Sequence, residues 1–312
     1  MDGTVVIALG GNAILRRGQS GTAEEQLANL RATAEQIAEI IAADWRVILT
    51  HGNGPQVGNI LLQNEEARHV VPPMPLDVCG AESQGQIGYL LQRALQDALR
   101  VRGMKHPVAT VVTMVVVDEN DPAFQQPTKP IGPCYSEARA RELMERKGYI
   151  MKQDTSRGWR RVVPSPEPKR ICEREAIRGL VELGVVTIAC GGGGIPVVVR
   201  GDRLVGVEAV IDKDLASQRL ASELGADVLL ILTDVDGVAV NWQRPDQRFI
   251  TSMTVQEARK YQAEGHFPPG SMGPKVEAAV RFVSGGGEQA VICSIESALA
   301  GLEGKAGTTI VP

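Results

Sequence analysis

Apolar residues gather in six runs along the chain: VVIAL (5–9), RVILT (46–50), PVATVVTMVVV (107–117), VVTIAC (185–190), DVLLILT (227–233) and AVICS (290–294). They stay apolar for several residues in succession instead of alternating with polar positions, the pattern of strands covered on both faces. Segments of helical periodicity separate most of them. In the clearest, Leu27, Leu30, Ala34, Ile37 and Ile41 fall on one helical face, and Thr22 with Glu25 three residues later reads as a capping box. Buried strands alternating with amphipathic helices predict an α/β fold: an open αβα sandwich on a mainly parallel central sheet.

The rhythm breaks between Asp118 and Pro168, where prolines, charges and the short strand-like pieces YIMKQ and WRRVV replace it. An inserted subdomain, protruding as a lid or as a plain surface excursion, is expected there. Glycine-rich stretches at 10–11, 52–54, 191–194 and 270–273 nearly all follow predicted strands. In an open parallel sheet that edge is where ligands bind.

Composition narrows the partners. A net charge of -4 argues against nucleic acid, whose binding relies on concentrated Lys and Arg. The five cysteines, Cys79, Cys134, Cys172, Cys190 and Cys293, are odd in number and contain no CxxC pair, which favours reduced thiols and a cytoplasmic protein. No basic leader and no long apolar run is seen, so no membrane partner is expected.

Two helix starts carry the candidate chemistry. In EAVIDKDLA, Lys213 stands between Asp212 and Asp214 where a helix begins, and in GSMGPKVEAA Lys275 follows Pro274, which suits a first helical position. A lysine there faces the positive end of the peptide dipoles, so it is misplaced unless an anion sits nearby. The loops after VVIAL and RVILT, with Gly10, Gly11 and Asn12 and with Gly52, Asn53, Gly54 and Pro55, offer unshielded backbone N–H groups that suit phosphate or carboxylate. GxxxxGK[ST] is absent and GNGPQVG has one residue too many for GxGxxG, which sets aside the P-loop and the dinucleotide fold; HRD, DFG, GxSxG and HExxH are missing too. His51, His69, His106 and His266 are scattered, against a histidine metal site, with structural hydrogen bonding the default for His51 and His266. Taken singly, any lysine is as readily a solvated surface residue. The helix-start argument separates Lys213 and Lys275 from that fate, while Lys129, in QPTKPIGP, stays open on local grounds. Fixed cations and oriented amides stabilise a phosphoryl group in transfer, and Asp214 either holds the ammoniums in place or simply favours a helix N-terminus.

Together the blocks VVIALGGNA, THGNGPQVG, QPTKPIGP, RRVVPSPEP, CGGGGIPVV, VIDKDLAS, LTDVDGV and GHFPPGSMGPKVEAA resemble the carbamate kinases of the amino acid kinase family, in an order that covers nearly the whole chain. The resemblance implies an acceptor-binding portion at 1–225, with the protruding subdomain at about 118–168, and a nucleotide-binding portion at 226–312. It implies a homodimer and the reversible reaction ATP + carbamate ⇌ ADP + carbamoyl phosphate, with Mg2+. Residue by residue, it places Gly10, Gly11, Asn12, Gly52, Asn53 and Gly54 around acceptor and phosphoryl group. Lys129 reaches in from the insertion, Lys213 and Lys275 neutralise phosphate charge, and Asp214 orients them. Thr233, Asp234, Val235, Asp236 and Met272, with Lys275, belong to the nucleotide pocket. Carbamate already carries an anionic oxygen, so its attack on phosphorus needs no general base, in keeping with motifs that supply cations and amides. Competing expectations are another family member with a different carboxylate or phosphate acceptor, and a nucleotide-binding regulator without turnover.

Overall fold

The computed structural model describes residues 3–16, 18–154 and 158–312; positions 155–157, inside the expected insertion, lie outside the described residues. Eight strands make the central sheet: β1 (Thr4–Leu9), β2 (Arg46–His51), β3 (Val108–Thr110), β4 (Val186–Ile188), β5 (Val228–Thr233), β6 (Ser252–Thr254), β7 (Gln289–Ser294) and β8 (Thr308–Val311). Their spatial order is β6-β8-β7-β5-β1-β2-β4-β3. The six from β7 to β3 run parallel; β8 is antiparallel to β7, and β6 pairs parallel with β8.

Side-chain alternation along β1 explains why the run is apolar throughout. Val5, Ile7 and Leu9 enter one apolar cluster, shared with helices α1 (Ala23–Ala42) and α3 (Leu76–Val101). Val6 and Ala8 enter the opposite one, shared with α5 (Arg174–Glu182), α6 (Lys213–Leu224), α7 (Val255–Ala263) and α8 (Met272–Ser284). A residue such as Ile7, fully buried, contributes about 1.5–3 kcal/mol by leaving water. The Thr22–Glu25 capping box opens α1. Among the described residues no helix is long and apolar enough to cross a membrane.

Two local expectations need correction. The run 107–117 is not one strand: β3 ends at Thr110, and Met114–Val116 joins a second sheet with Ile195–Arg200, Arg203–Gly206 and Arg170–Ile171. Gln84 makes the crossing possible, its side chain accepting from the N–H of Thr113 (2.9 Å) and donating to the Thr113 carbonyl (3.1 Å). Pro274 is the third residue of α8, not the first. It still lies in the first turn, where backbone N–H groups have no helical partner and proline costs nothing.

The insertion has a sheet and a small core of its own. Lys129–Tyr135, Gly158–Val163 and Met151–Asp154 form an antiparallel sheet. Helix α4 (Glu137–Lys147) shares a small core with it through Ala140, Leu143 and Met151. Its base seats on the main body through Ile131 and Val163 against Val57, Ile60, Leu76 and Val210, beside helix α2 (Gly54–Ala67). The fit is backbone on backbone: a Cβ on Gly58 would lie 1.9 Å from the Cα of Gly132.

Candidate active site

At the carboxyl ends of β1, β5 and β7 lies a cavity of about 400 Å³. Gly10, Gly11 and Asn12 form one wall, Thr233, Asp234 and Val235 another, and Met272 and Lys275 from the start of α8 a third. Gly10 donates to the Leu232 carbonyl at 3.1 Å, and a Cβ there would sit 2.9 Å from that oxygen, so the close approach of β1 to β5 excludes a side chain. The remaining wall is mostly apolar, with Ala239, Trp242, Pro268 and Ile295 beside His266 and Ser271.

Next to the cavity the two helix-start lysines meet on one carboxylate. Lys213 Nζ lies 2.5 Å from Asp214 Oδ1, and Lys275 Nζ lies 3.0 Å from Asp214 Oδ2. The geometry follows from the helix start: Asp212 is the N-cap, accepting from the N–H groups of Asp214 (2.9 Å) and Leu215 (3.4 Å), so the first turn points its side chains at α8. Asp214 is only 3% exposed. Burial alone would raise its carboxyl, but Lys213 and Lys275 outweigh burial and hold it well below the usual range. Burial likewise pushes the Lys213 ammonium below its ordinary value, against the pull of Asp214 and with a smaller push from Lys275.

The acceptor loop adjoins this cluster. A Cβ on Gly52 would lie 3.3 Å from Cδ of Lys213, so the lysine stem runs along a bare backbone. Asn53 precedes α2 and donates to Ser83 Oγ at 2.8 Å; Gly54 is the first residue of α2, with Pro55 second. Beneath them His51 is buried, its Nδ1 2.9 Å from the Gly52 carbonyl. Burial lowers the His51 pKa to about 4, so the ring is neutral at pH 7 and donates Nδ1–H to that carbonyl. From the insertion, Lys129 Nζ reaches Asp212 Oδ2 at 2.7 Å.

The sequence-derived residues thus divide. Gly10, Gly11, Asn12, Thr233, Asp234, Val235, Met272 and Lys275 share one cavity. Lys213 and Asp214 join it through Lys275, and Gly52 through Lys213. Asn53 and Gly54 stand outside the cavity wall, and Asp236 is exposed, with Gly237 facing the cavity in its stead. Sequence reasoning passed over Asp212, although an aspartate just before a helix is a cap signal. It also passed over Trp242, for which the sequence carries no signal, and gave no role to Pro268 and Ser271, although both stand in the GHFPPGSMGPKVEAA block.

A mainly parallel sheet between helix layers, with a lysine–aspartate–lysine cluster at its carboxyl edge, agrees with the match of the amino acid kinase family model to residues 3–294; the chain belongs to that family. Within it, similar relatives are carbamate kinases. That of Pyrococcus furiosus is 55% identical over 310 residues, covering 99% of each chain. That of Thermococcus kodakarensis is 56% identical over 310 residues, covering 98% of each. Among solved structures, carbamate kinase from Giardia lamblia bound to AMP-PNP has a TM-score of 0.93 at 44% identity, covering 99% of this chain and 98% of that one.

Proposed function

We propose that the chain is a carbamate kinase, moving a phosphoryl group reversibly between ATP and carbamate to give ADP and carbamoyl phosphate. The observation that carries this reading is the pair of ammonium groups held on Asp214 beside a cavity of nucleotide size. The full-length likeness to carbamate kinases supports the choice of acceptor. ADP or ATP occupies the cavity with its phosphates toward Gly10, Gly11, Asn12 and Lys275. Carbamate sits toward Gly52, Asn53 and Gly54, with Lys129 above it. Both substrates are anions, so their repulsion is the barrier to overcome. Lys213 and Lys275 offset it in a dry site where fixed charges act strongly, and Asp214 keeps the two ammoniums from separating. The acceptor oxygen arrives ionised, and no residue has to remove a proton from it.

Asp234 is the residue that would help hold an Mg2+ ion carried by the nucleotide, and the ion would supply positive charge against the phosphates. The donor set fits an ion carried chiefly by phosphates: Asp234 offers a carboxylate on the cavity wall, and no group of three or more His, Cys, Asp or Glu among the described residues is arranged for a metal. In this reading residues 1–225 handle the acceptor, with the subdomain at about 118–168, and 226–312 handle the nucleotide. The enzyme works in the cytoplasm as a homodimer, and exposed Val70, Val71, Met74, Val78 and Tyr89 supply apolar surface for a second copy; sedimentation equilibrium tests the dimer. The reaction is tested by supplying ADP, Mg2+ and carbamoyl phosphate and reading ATP by luminescence. ATP formation is expected, and its absence removes the carbamate assignment.

A further inference from the structure

Asp212 has two oxygens and two unrelated tasks. Oδ1 caps α6 through the N–H groups of Asp214 and Leu215, while Oδ2 takes the ammonium of Lys129 from 83 residues earlier in the chain, at 2.7 Å. The same carboxylate therefore fixes the first turn that carries Lys213 and Asp214 and the first strand residue of the insertion. The surroundings reinforce this joint. Lys129 pairs across the insertion's sheet with Val163, and Val210 donates to the Pro164 carbonyl at 2.9 Å. Arg161 reaches Glu208 at 3.4 Å. The segment leading into α6 is thus laced to the insertion's base, with the Lys129–Asp212 pair at its catalytic end.

From this geometry we propose that Asp212 is a positioning residue: it latches the insertion to the start of α6 and holds Lys129 where its ammonium meets the transferring phosphoryl group. The inference rests on the kinase reading above and adds a specific dependence to it. Lys129 and Asp212 side chains are 30% and 16% exposed. A half-buried pair of this kind adds only modestly to stability, and the larger consequence of the latch lies in placement.

The test separates the two tasks of Asp212. Asparagine and serine cap helices about as well as aspartate, so Asp212→Asn and Asp212→Ser keep the α6 start while removing the negative charge opposite Lys129. Thermal melts close to the parent's check that the fold is kept. Misplacing a catalytic group by about 1 Å costs up to about 100-fold in rate. The expected result is a kcat loss of about 10- to 100-fold with KM for ADP unchanged, because the nucleotide cavity is untouched. In a Lys129→Ala background the same substitution is expected to change kcat by no more than about twofold, since residues acting through one another are not additive. Normal turnover in both capping variants overturns the proposal. So does a loss that persists undiminished once Lys129 is gone, which assigns the effect to the helix start. If Lys129→Ala alone turns over normally, the role of Lys129 in the kinase reading fails, and the latch with it. A loss in Lys129→Ala that Asp212→Asn does not share leaves the reading standing and sinks the latch alone.

Discussion

The two ends of the site are built on opposite principles. In the proposed kinase reading the phosphate end is a cluster of buried charges, with Lys213, Asp214 and Lys275 tied together within hydrogen-bond distance. The base end, in the same reading, is the far wall of the cavity of about 400 Å³, lined largely by apolar residues such as Ala239, Trp242 and Pro268. Burying three charges costs several kcal/mol each before pairing, a cost that stability alone does not justify. Placing charge where charge migrates during the reaction justifies it. The apolar wall carries no such cost and offers only contact. The phosphate end is therefore expected to govern turnover and the base end to govern affinity.

Removing Asp214 is expected to have the largest effect. Asp214→Ala leaves two buried ammonium groups facing each other without a counter-ion, and breaking a buried pair from one side costs about 3–5 kcal/mol of stability. Lys213, already pushed down by burial, then sheds its proton more readily, so turnover is expected to fall well beyond about 100-fold, the scale of losing one preorganised group. Urea denaturation and kcat measured on the same preparation check both. Near-parent values in either would break the contrast between the two ends. Lys213→Ala and Lys275→Ala each lose one cation while Asp214 keeps the other. A kcat loss of about 100-fold is expected for each, with a smaller stability change than in Asp214→Ala.

How far the two ends could be read from the sequence follows the same division. Lys213 and Lys275 were visible because a lysine in a first helical turn is an electrostatic anomaly, and anomalies are local. Asp212 was not, because its partner Lys129 lies 83 residues away and only the folded insertion brings them together. Ala239 and Trp242 were invisible for a different reason: an apolar residue on a ligand wall has the same chemistry as one in a core. The main sheet was legible from apolar runs. Their continuity concealed the change of sheet between Thr110 and Met114, since both sheets bury the chain there. The insertion was legible as a break in rhythm, while its seat of Gly58 against Gly132 depends on a contact that no local pattern encodes.

Acid separates two groups at the phosphate end. Burial lowers the His51 pKa from 6.5 to about 4. A proton taken up by the unfolded chain is refused by the native one, so stability is full above about pH 6.5 and is lost as pH falls toward 4, by at most roughly 3 kcal/mol. Asp214 has a depressed folded pKa. Its contribution is present above the ordinary carboxylate pKa of about 3.9 and is lost only as pH falls through the lower folded value. Denaturant midpoints between pH 7 and 4 are therefore expected to flatten in His51→Gln and to keep their slope in Lys275→Ala. If His51→Gln retains the full slope, the ring does not stay neutral in the fold.

The smallest effect is expected at the cavity's rim, and it bears most directly on the contrast between the two ends. Trp242 lines the cavity at 41% exposure and meets Phe249 edge-on, with ring centroids 6.3 Å apart. An aromatic face left this open is free to stack on a planar base, a contact worth about 0.5–1.5 kcal/mol beyond the area it buries. Trp242→Ala is therefore expected to raise KM for ADP about 3- to 10-fold with kcat unchanged, because the wall binds ground state and transition state alike. Intrinsic fluorescence gives an independent reading: the chain has three tryptophans, and any change on adding ADP is expected to disappear in this variant. A kcat loss in Trp242→Ala as large as that of Lys275→Ala would mean that the apolar wall also sets the position of the phosphates, and the division of labour between the two ends would have to be given up.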